Sequence, residues 1–541
     1  MTPGSSQGKD AYDVIVLGGG HNGLVCACYL AKAGHRVKVL ERRSIVGGAA
    51  TTEEFHPGFR NSICSYSVSV LNSKIIDDLD LNKYGLQIDV RPLLHLMPLE
   101  GKNCLRFYSD TDRSKAEFGR FSIHDAESLP RFHAMLDRLA GAGDTWLQTP
   151  PNVGGSTLEI LKALWSNRKM ARMDIEAQRD LADLMAMSAA DFLSRWFEND
   201  AVRAILGFRA VLGFMATPYA PGTANVLLHR CVAVLGGQRG VWGHVKGGMG
   251  SITQAMARSA EDAGVDIEVE APVAEVLIEG GRVAGVRVED GRVFRARSVA
   301  ANVNPKLLFL KLVDAAAVPA DFRQRIENFR CGSGTFRMNV ALRELPDFTC
   351  LPGTHAQEHH TGAIVIAPSM DYMDEAFQQA RRHGWSRDPI VELLIPSTID
   401  DTLSPRGAHV ASLFAQHFNP SLPDGRSWDE VKEEAADAII DKVTEYAPNF
   451  KSSIIARQIL SPLDLEREFG LIGGDIFHGT LDLNQIYCLR PTLGYAAYRM
   501  PIKGLYLCGA GAHPGGGVSG APGHNAAREI IRDMGRGRRR K

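Results

Sequence analysis

Apolar positions open the chain as a near-continuous run. Residues 12–17 (Tyr12-Asp13-Val14-Ile15-Val16-Leu17) read as a short buried strand that stops at Gly18. Helix-forming residues fill 24–33, and Gly34 sits where a glycine ends a helix. A second strand is predicted over 37–40, with Glu41 at its tip. That order predicts a βαβ unit. Midway along, the pattern predicts a helix over 251–263 and strands over 266–269, 273–278 and 283–288. Gly280-Gly281 and Asp290-Gly291 mark hairpin turns. Residues 177–235 read as helix-rich and apolar, with 201–208 and 226–235 as the clearest stretches.

Between the first strand and helix lies Gly18-Gly19-Gly20-His21-Asn22-Gly23. Gly18 permits a tight turn, Gly20 lets the backbone approach a pyrophosphate, and Gly23 lets helix and strand pack closely. The helix N-terminus then faces the negative charge. Glu41 stands where a carboxylate accepts hydrogen bonds from a ribose diol. A 2′-phosphate there would meet like charge, so NADP is disfavoured. Strand, glycine turn, helix, strand and carboxylate in that order specify a dinucleotide site. After Glu41-Arg42-Arg43, the pair Gly47-Gly48, followed by Ala49, gives backbone that passes close to a bulky cofactor.

A second glycine-rich segment lies near the other end of the chain. Gly509-Ala510-Gly511 leads into His513-Pro514-Gly515-Gly516-Gly517-Val518-Ser519-Gly520. This stretch also satisfies G-x-G-x-x-G, but a nicotinamide domain needs a further strand and acidic residue beyond it. It reads instead as a loop whose amides, with the next helix N-terminus, face a flavin pyrimidine and stabilise negative charge on the reduced ring. One dinucleotide gripped from both ends of the chain predicts FAD.

These motifs resemble the flavin-dependent family of phytoene desaturases, amine oxidases and related enzymes. The residues that carry the resemblance are Glu41 with Gly47-Gly48, Lys246-Gly247-Gly248-Met249-Gly250-Ser251, and the closing run from Gly504 to Gly517, which is similar to the carotenoid desaturase branch. Amine oxidases tend to carry a tryptophan in this last region, and none is present here. The resemblance spans about residues 11 to 534. It implies a Rossmann-type FAD-binding domain of the two-dinucleotide-binding-domain type, interleaved with an α+β substrate domain. Cofactor segments are expected at 11–70, 236–305 and 471–535, substrate segments at 71–235 and 306–470, and a basic tail at 536–541. It further implies that Val273 offers backbone atoms to the adenine. The reaction implied is dehydrogenation or isomerisation of an apolar, isoprenoid- or lipid-like substrate, with electrons passed to quinone or oxygen. Two alternatives stay open: a flavin amine oxidase, and an FAD-retaining binding or regulatory protein tied to respiratory function, as mitochondrial relatives suggest.

Composition narrows the setting. The 541 residues are 45% hydrophobic and 23% charged, with a formal net charge of −1, which suits a globular protein and gives no bias toward nucleic acid. Nine cysteines without framework spacing suit a reducing compartment. Only Cys26 and Cys28 are close neighbours, and positions i and i+2 of a helix face apart, so a dithiol mechanism is not expected. No apolar run reaches the roughly 18 residues of a membrane span. Residues 1–10 lack a signal core and the arginines of a transit peptide. The expected location is a bacterial cytoplasm, or the mitochondrial matrix in a eukaryote, where relatives carry a longer N-terminal extension. The basic tail Gly535-Arg536-Gly537-Arg538-Arg539-Arg540-Lys541 is expected to be a solvated, disordered end, with contact to anionic lipid as the alternative, and a peripheral membrane or respiratory-complex partner stays open for the protein as a whole.

Candidate chemistry beyond the flavin is sparse. His513 falls in the loop expected beside the flavin and is the catalytic candidate. Tyr487, Arg490 and Tyr498 are cavity candidates. No general base is evident. His355-Ala356-Gln357-Glu358-His359 matches a zinc-peptidase spelling, but Pro352-Gly353 and Thr361-Gly362 leave too little helix, so a polar loop without metal is expected.

Overall fold

The computed structural model describes residues 11–142, 147–150, 173–232, 234–235, 237–353 and 355–538. Two seven-stranded sheets organise it. In the first, strands Asp266–Glu268, Val37–Leu40, Tyr12–Leu17, Val293–Ala301 and Leu505–Leu507 lie side by side in parallel. Helix His21–Lys32 packs on this sheet, flanked by helices Gly250–Asp262 and Ala521–Arg538. That is the Rossmann-type layer, completed by strands drawn from nearly the whole length of the chain. The expected helix at 24–33 begins three residues sooner, because Gly20 already takes the N-cap position.

Strand Val293–Ala301 is central to this sheet, yet its sequence pattern is split. Its first half alternates and pairs antiparallel with Arg282–Val288, which pairs in turn with Val273–Glu279. Its last residues are fully buried and pair with both Tyr12–Leu17 and Leu505–Leu507. A single period cannot describe a strand that leaves a half-solvated hairpin and enters a buried parallel sheet.

The second sheet runs Ile454–Leu460, Phe336–Leu342, His409–Phe418, Trp385–Leu394, Ala363–Ile366, Leu93–Pro98 and Cys104–Tyr108. Only the pairing of Ala363–Ile366 with Leu93–Pro98 is parallel. Val391, Leu393, Met338, Val340 and Leu413 point to one face and share a core with helix Trp428–Tyr446. Period-2 alternation sends Glu392, Arg337, Asn339, Ser412 and Phe414 to the opposite face, toward the cofactor layer. These polar residues are buried all the same.

The helix-rich stretch is present as Ile175–Ala186, Ala189–Ser194, Asp200–Val211 and Asn225–His229. The expected helix at 226–235 stops at His229, and a short hairpin of Val234–Leu235 with Gln238–Arg239 follows. Among the described residues, no helix is long and apolar enough to cross a membrane. Residues 1–10 and 539–541, which include the end of the basic tail, lie outside the described residues.

Candidate active site

The first glycine turn closes on Asn302, a residue that no motif in the sequence marks. Asn302 follows the central strand, and its amide nitrogen donates to the Gly18 carbonyl at 3.1 Å. A Cβ at Gly20 would stand 2.9 Å from that nitrogen, and one at Gly509 the same distance from the Asn302 side-chain oxygen. A Cβ at Gly23 would meet the Gly18 carbonyl at 2.2 Å. Both glycine segments therefore converge on Asn302. Gly20 is glycine because protein atoms crowd it, as well as for the approach of a phosphate. No side chain caps helix His21–Lys32, so its first amides remain open to an anion.

A cavity of about 580 Å³ runs past this turn. At one end stand Glu41, Arg42, Ala271, Pro272, Val273 and Glu289. Glu41 accepts from the Gly19 amide at 2.8 Å and the Arg43 amide at 2.9 Å, which fixes its carboxylate beside the turn. The middle is bounded by Gly18, Gly20, His21, Asn22, Gly48, Ala49 and Asn302. Gly48 presses on Gly20, where a Cβ would come within 3.3 Å of the Gly20 Cα. Ala510, Gly517 and Val518 bring the far glycine loop onto the same space. His21 joins the two loops by a hydrogen bond with the Gly517 backbone, and burial lowers its imidazole to about 4, so it is neutral at pH 7. His21 Nε2 and Asn22 Oδ1 are buried without a hydrogen-bond partner among the described residues. A carboxylate for the ribose, an open helix N-terminus, unsatisfied polar atoms along the middle and a glycine loop beyond fit an extended FAD.

Not every expected residue touches this cavity. Gly23, Gly47, Gly509 and Ser519 are outside its lining. Gly47 acts one step back, its amide donating to the Gly19 carbonyl at 2.9 Å. Ser519 serves the start of the last helix, accepting from the Ala521 amide at 3.2 Å. His513, expected beside the flavin, is also outside the lining. Its carbonyl accepts from the Tyr498 hydroxyl at 2.9 Å and its ring meets Tyr487 edge-on at 5.3 Å, so it packs behind the loop. Tyr487, Tyr498 and Arg490 share that layer and do not line the cavity either. Arg490 is fully buried and donates to five carbonyls, those of Phe477, Gly479, Thr480, Gln485 and Ala510. It is the clamp that shapes the loops, with the buried carboxylate of Asp475 as counter-charge.

Beyond the glycine loop the cavity continues between Tyr66, Val70, Leu212, Arg230, Trp242, Phe414, Ile476 and Phe477. Here the structure supplies what the sequence withheld. The Tyr66 hydroxyl donates to the Glu392 carboxylate, which is fully buried. Burial pushes Glu392 up to about 7, against the pull of Tyr66 and of Arg91, Arg337 and Arg230. Arg337 stacks 4.5 Å from the centre of the Tyr66 ring. Tyr66 stands at the wall with Glu392 directly behind it, and burial together with that carboxylate pushes the Tyr66 phenol well up. Glu392 is a lone carboxylate within the apolar run 390–395, and Tyr66 lies more than 300 residues away, which is why no local pattern in the sequence marks this pair.

Two decoys resolve by geometry. Glu358 is held by Arg113 at 2.7 Å and Tyr108 at 3.2 Å, while His359 and His360 are buried in a one-turn helix against Phe348. The expected polar loop is thus a packed turn. Of the nine free cysteines only Cys64 lines the cavity, and burial pushes its thiol up to about 12, far from a reactive thiolate.

Comparison with known proteins agrees with this geometry. The family model described as flavin containing amine oxidoreductase matches residues 23–336. The rat pyridine nucleotide-disulfide oxidoreductase domain-containing protein 2 is 40% identical over 547 residues, covering 97% of this chain and 94% of the relative. A lycopene-forming phytoene desaturase of Pseudescherichia vulneris is 27% identical, covering 94% and 96%. Cyclohexylamine oxidase from Brevibacterium oxydans shares the fold, with a TM-score of 0.59 at 17% identity over 97% of this chain and 100% of that one. The chain belongs to the flavin-containing amine oxidoreductase family and is an FAD-dependent oxidoreductase.

Proposed function

We propose that this protein dehydrogenates or isomerises a long apolar substrate, with quinone or oxygen as the terminal electron acceptor. The observation that carries this reading is the continuation of the cofactor cavity into the wall formed by Val70, Leu212, Trp242, Phe414, Ile476 and Phe477. Such a wall excludes water and holds a hydrocarbon against whatever lies at the glycine loop.

Bound FAD supplies the two-electron acceptor that takes a hydride from a substrate carbon. The chain supplies the rest. Desaturation also releases a proton from the neighbouring carbon, and Tyr66 stands at the wall to take it while passing its own phenolic proton to ionised Glu392. The C–H electrons left behind form the new C=C bond. An amine substrate is disfavoured, because a cationic ammonium entering this end would approach the guanidinium of Arg230. Phytoene desaturase among the relatives supports a C–C dehydrogenation.

The test is anaerobic mixing of the holoprotein with isoprenoids, acyl lipids and amines while the flavin absorption is followed. Bleaching by an isoprenoid or acyl lipid supports the proposal. Bleaching only by amines, or by no compound while the flavin stays bound, overturns it, the latter in favour of an FAD-retaining binding protein.

A further inference from the structure

The inner end of the cavity is unusually rich in positive charge. Arg230 stands in the cavity wall, and Arg91, Arg209 and Arg337 are buried behind it within electrostatic reach of the one carboxylate, Glu392. Arg337 is satisfied, donating to the carbonyls of Ile63 and Leu413 and to Ser412 Oγ. Arg209 donates to the Gly240 carbonyl at 2.7 Å. The other two are not satisfied. Arg230, only 8% exposed and in the cavity wall, donates through one terminal nitrogen to the Leu212 carbonyl at 2.6 Å, while its Nε has no partner among the described residues. Trp242, 5% exposed and lining the same cavity, leaves its indole N–H unpartnered among the described residues. Behind Trp242, Arg91 leaves Nε and one terminal nitrogen unpartnered.

Burying an unpaired donor costs about 1–3 kcal/mol, more for a charged group. Here the unpaired groups are mainly donors, and the charge is mainly positive. Glu392 does not balance it, since one carboxylate faces four guanidiniums and already accepts from Tyr66. Arg230 stays charged at neutral pH, burial bringing it down only to about 10. An anionic group at this end of the cavity would meet the Arg230 guanidinium in its wall and offset the charge. The apolar wall of Val70, Leu212 and Phe414 leads up to that point.

We propose that the substrate is an amphipathic anion, a long hydrocarbon chain ending in a carboxylate or phosphate, whose head is bound by Arg230 and Trp242. This rests on the oxidoreductase reading above and narrows its substrate class. It sets the apolar chain along the cavity with its head at the inner end, so that a carbon along the chain, and not a terminal methyl, is presented at the glycine loop.

Calorimetric titration of the holoprotein tests this without turnover. The probes are palmitoleate, farnesyl phosphate, and the uncharged alcohols palmitoleyl alcohol and farnesol. At least tenfold tighter binding of an acid or phosphate than of its alcohol is expected, and the pair showing it identifies the head group. Arg230→Gln should remove that preference while leaving the alcohol affinities within about twofold. Equal affinity for anion and alcohol in the wild-type protein overturns the proposal even if the variant fails to fold. So does an Arg230→Gln protein that weakens both alike. A flavin that no compound bleaches would instead sink the dehydrogenase reading, and the anion preference would still be read from the heats.

Discussion

Asn302 and Glu392 are the two side chains on which most depends. Asn302 ties the Gly18 turn to the strand beside it, so its loss frees a buried carbonyl at the pyrophosphate position. Asn302→Ala should weaken FAD binding about tenfold, in line with roughly 1–2 kcal/mol for one buried hydrogen bond, as read by the fluorescence of released flavin. Gly23→Ala should be worse, because its Cβ meets backbone that cannot rotate away. The resulting protein is expected to lose its yellow colour. Glu392 sets a pH dependence. Its carboxylate must be ionised to receive the Tyr66 proton, and burial holds it near 7. The rate of anaerobic flavin reduction should therefore rise with pH across that value. Glu392→Gln should flatten the profile and slow the step by 10²–10⁴-fold.

Two elements set the cavity shape. Helices His21–Lys32 and Ala521–Arg538 approach so closely that a Cβ at Gly523 would stand 2.0 Å from the Asn22 carbonyl. Gly523→Ala must push the helices apart, an overpacking cost of about 1–3 kcal/mol, seen as a lower Tm and a smaller flavin content. The loops at 477–485 and 510 are tied together by Arg490, which bonds five of their carbonyls. Arg490→Lys keeps the charge but has three donors in place of a planar fork. It should destabilise the fold measurably in urea, and Arg490→Ala should cost about 3–5 kcal/mol by also leaving Asp475 uncompensated.

The whole molecule carries an acid liability that no single element shows. Burial lowers His21, His133 and His478 to about 4, and His95, His229 and His417 to about 3. Each is neutral when folded and takes a proton near 6.5 when unfolded, so the unfolded chain binds more protons below that pH. Stability is thus complete above about 6.5 and falls as pH drops toward 4, by up to about 1.4 kcal/mol per histidine per pH unit. Thermal melts should show Tm falling steeply between pH 6.5 and 5. A flat Tm over that range would show that these rings are hydrated.

The sequence by itself determined the dinucleotide grip. The run Tyr12–Leu17, the turn Gly18 to Gly23, Glu41 and the Gly515–Gly520 loop are local patterns, and local backbone geometry demands those residues wherever the rest of the chain goes. Only the tertiary structure decided where the chemistry sits. Asn302 matters because its strand lies between two glycine segments distant in sequence, and His513 fails to reach the cavity because its loop folds around Arg490. Tyr66, Arg230 and Glu392 come from three separated segments, and Glu392 is a single carboxylate within the apolar run 390–395. What surrounds Glu392 is Tyr66, His95, Arg91, Arg230 and Arg337, drawn from segments far apart along the chain, a long-range fact that no window of sequence contains.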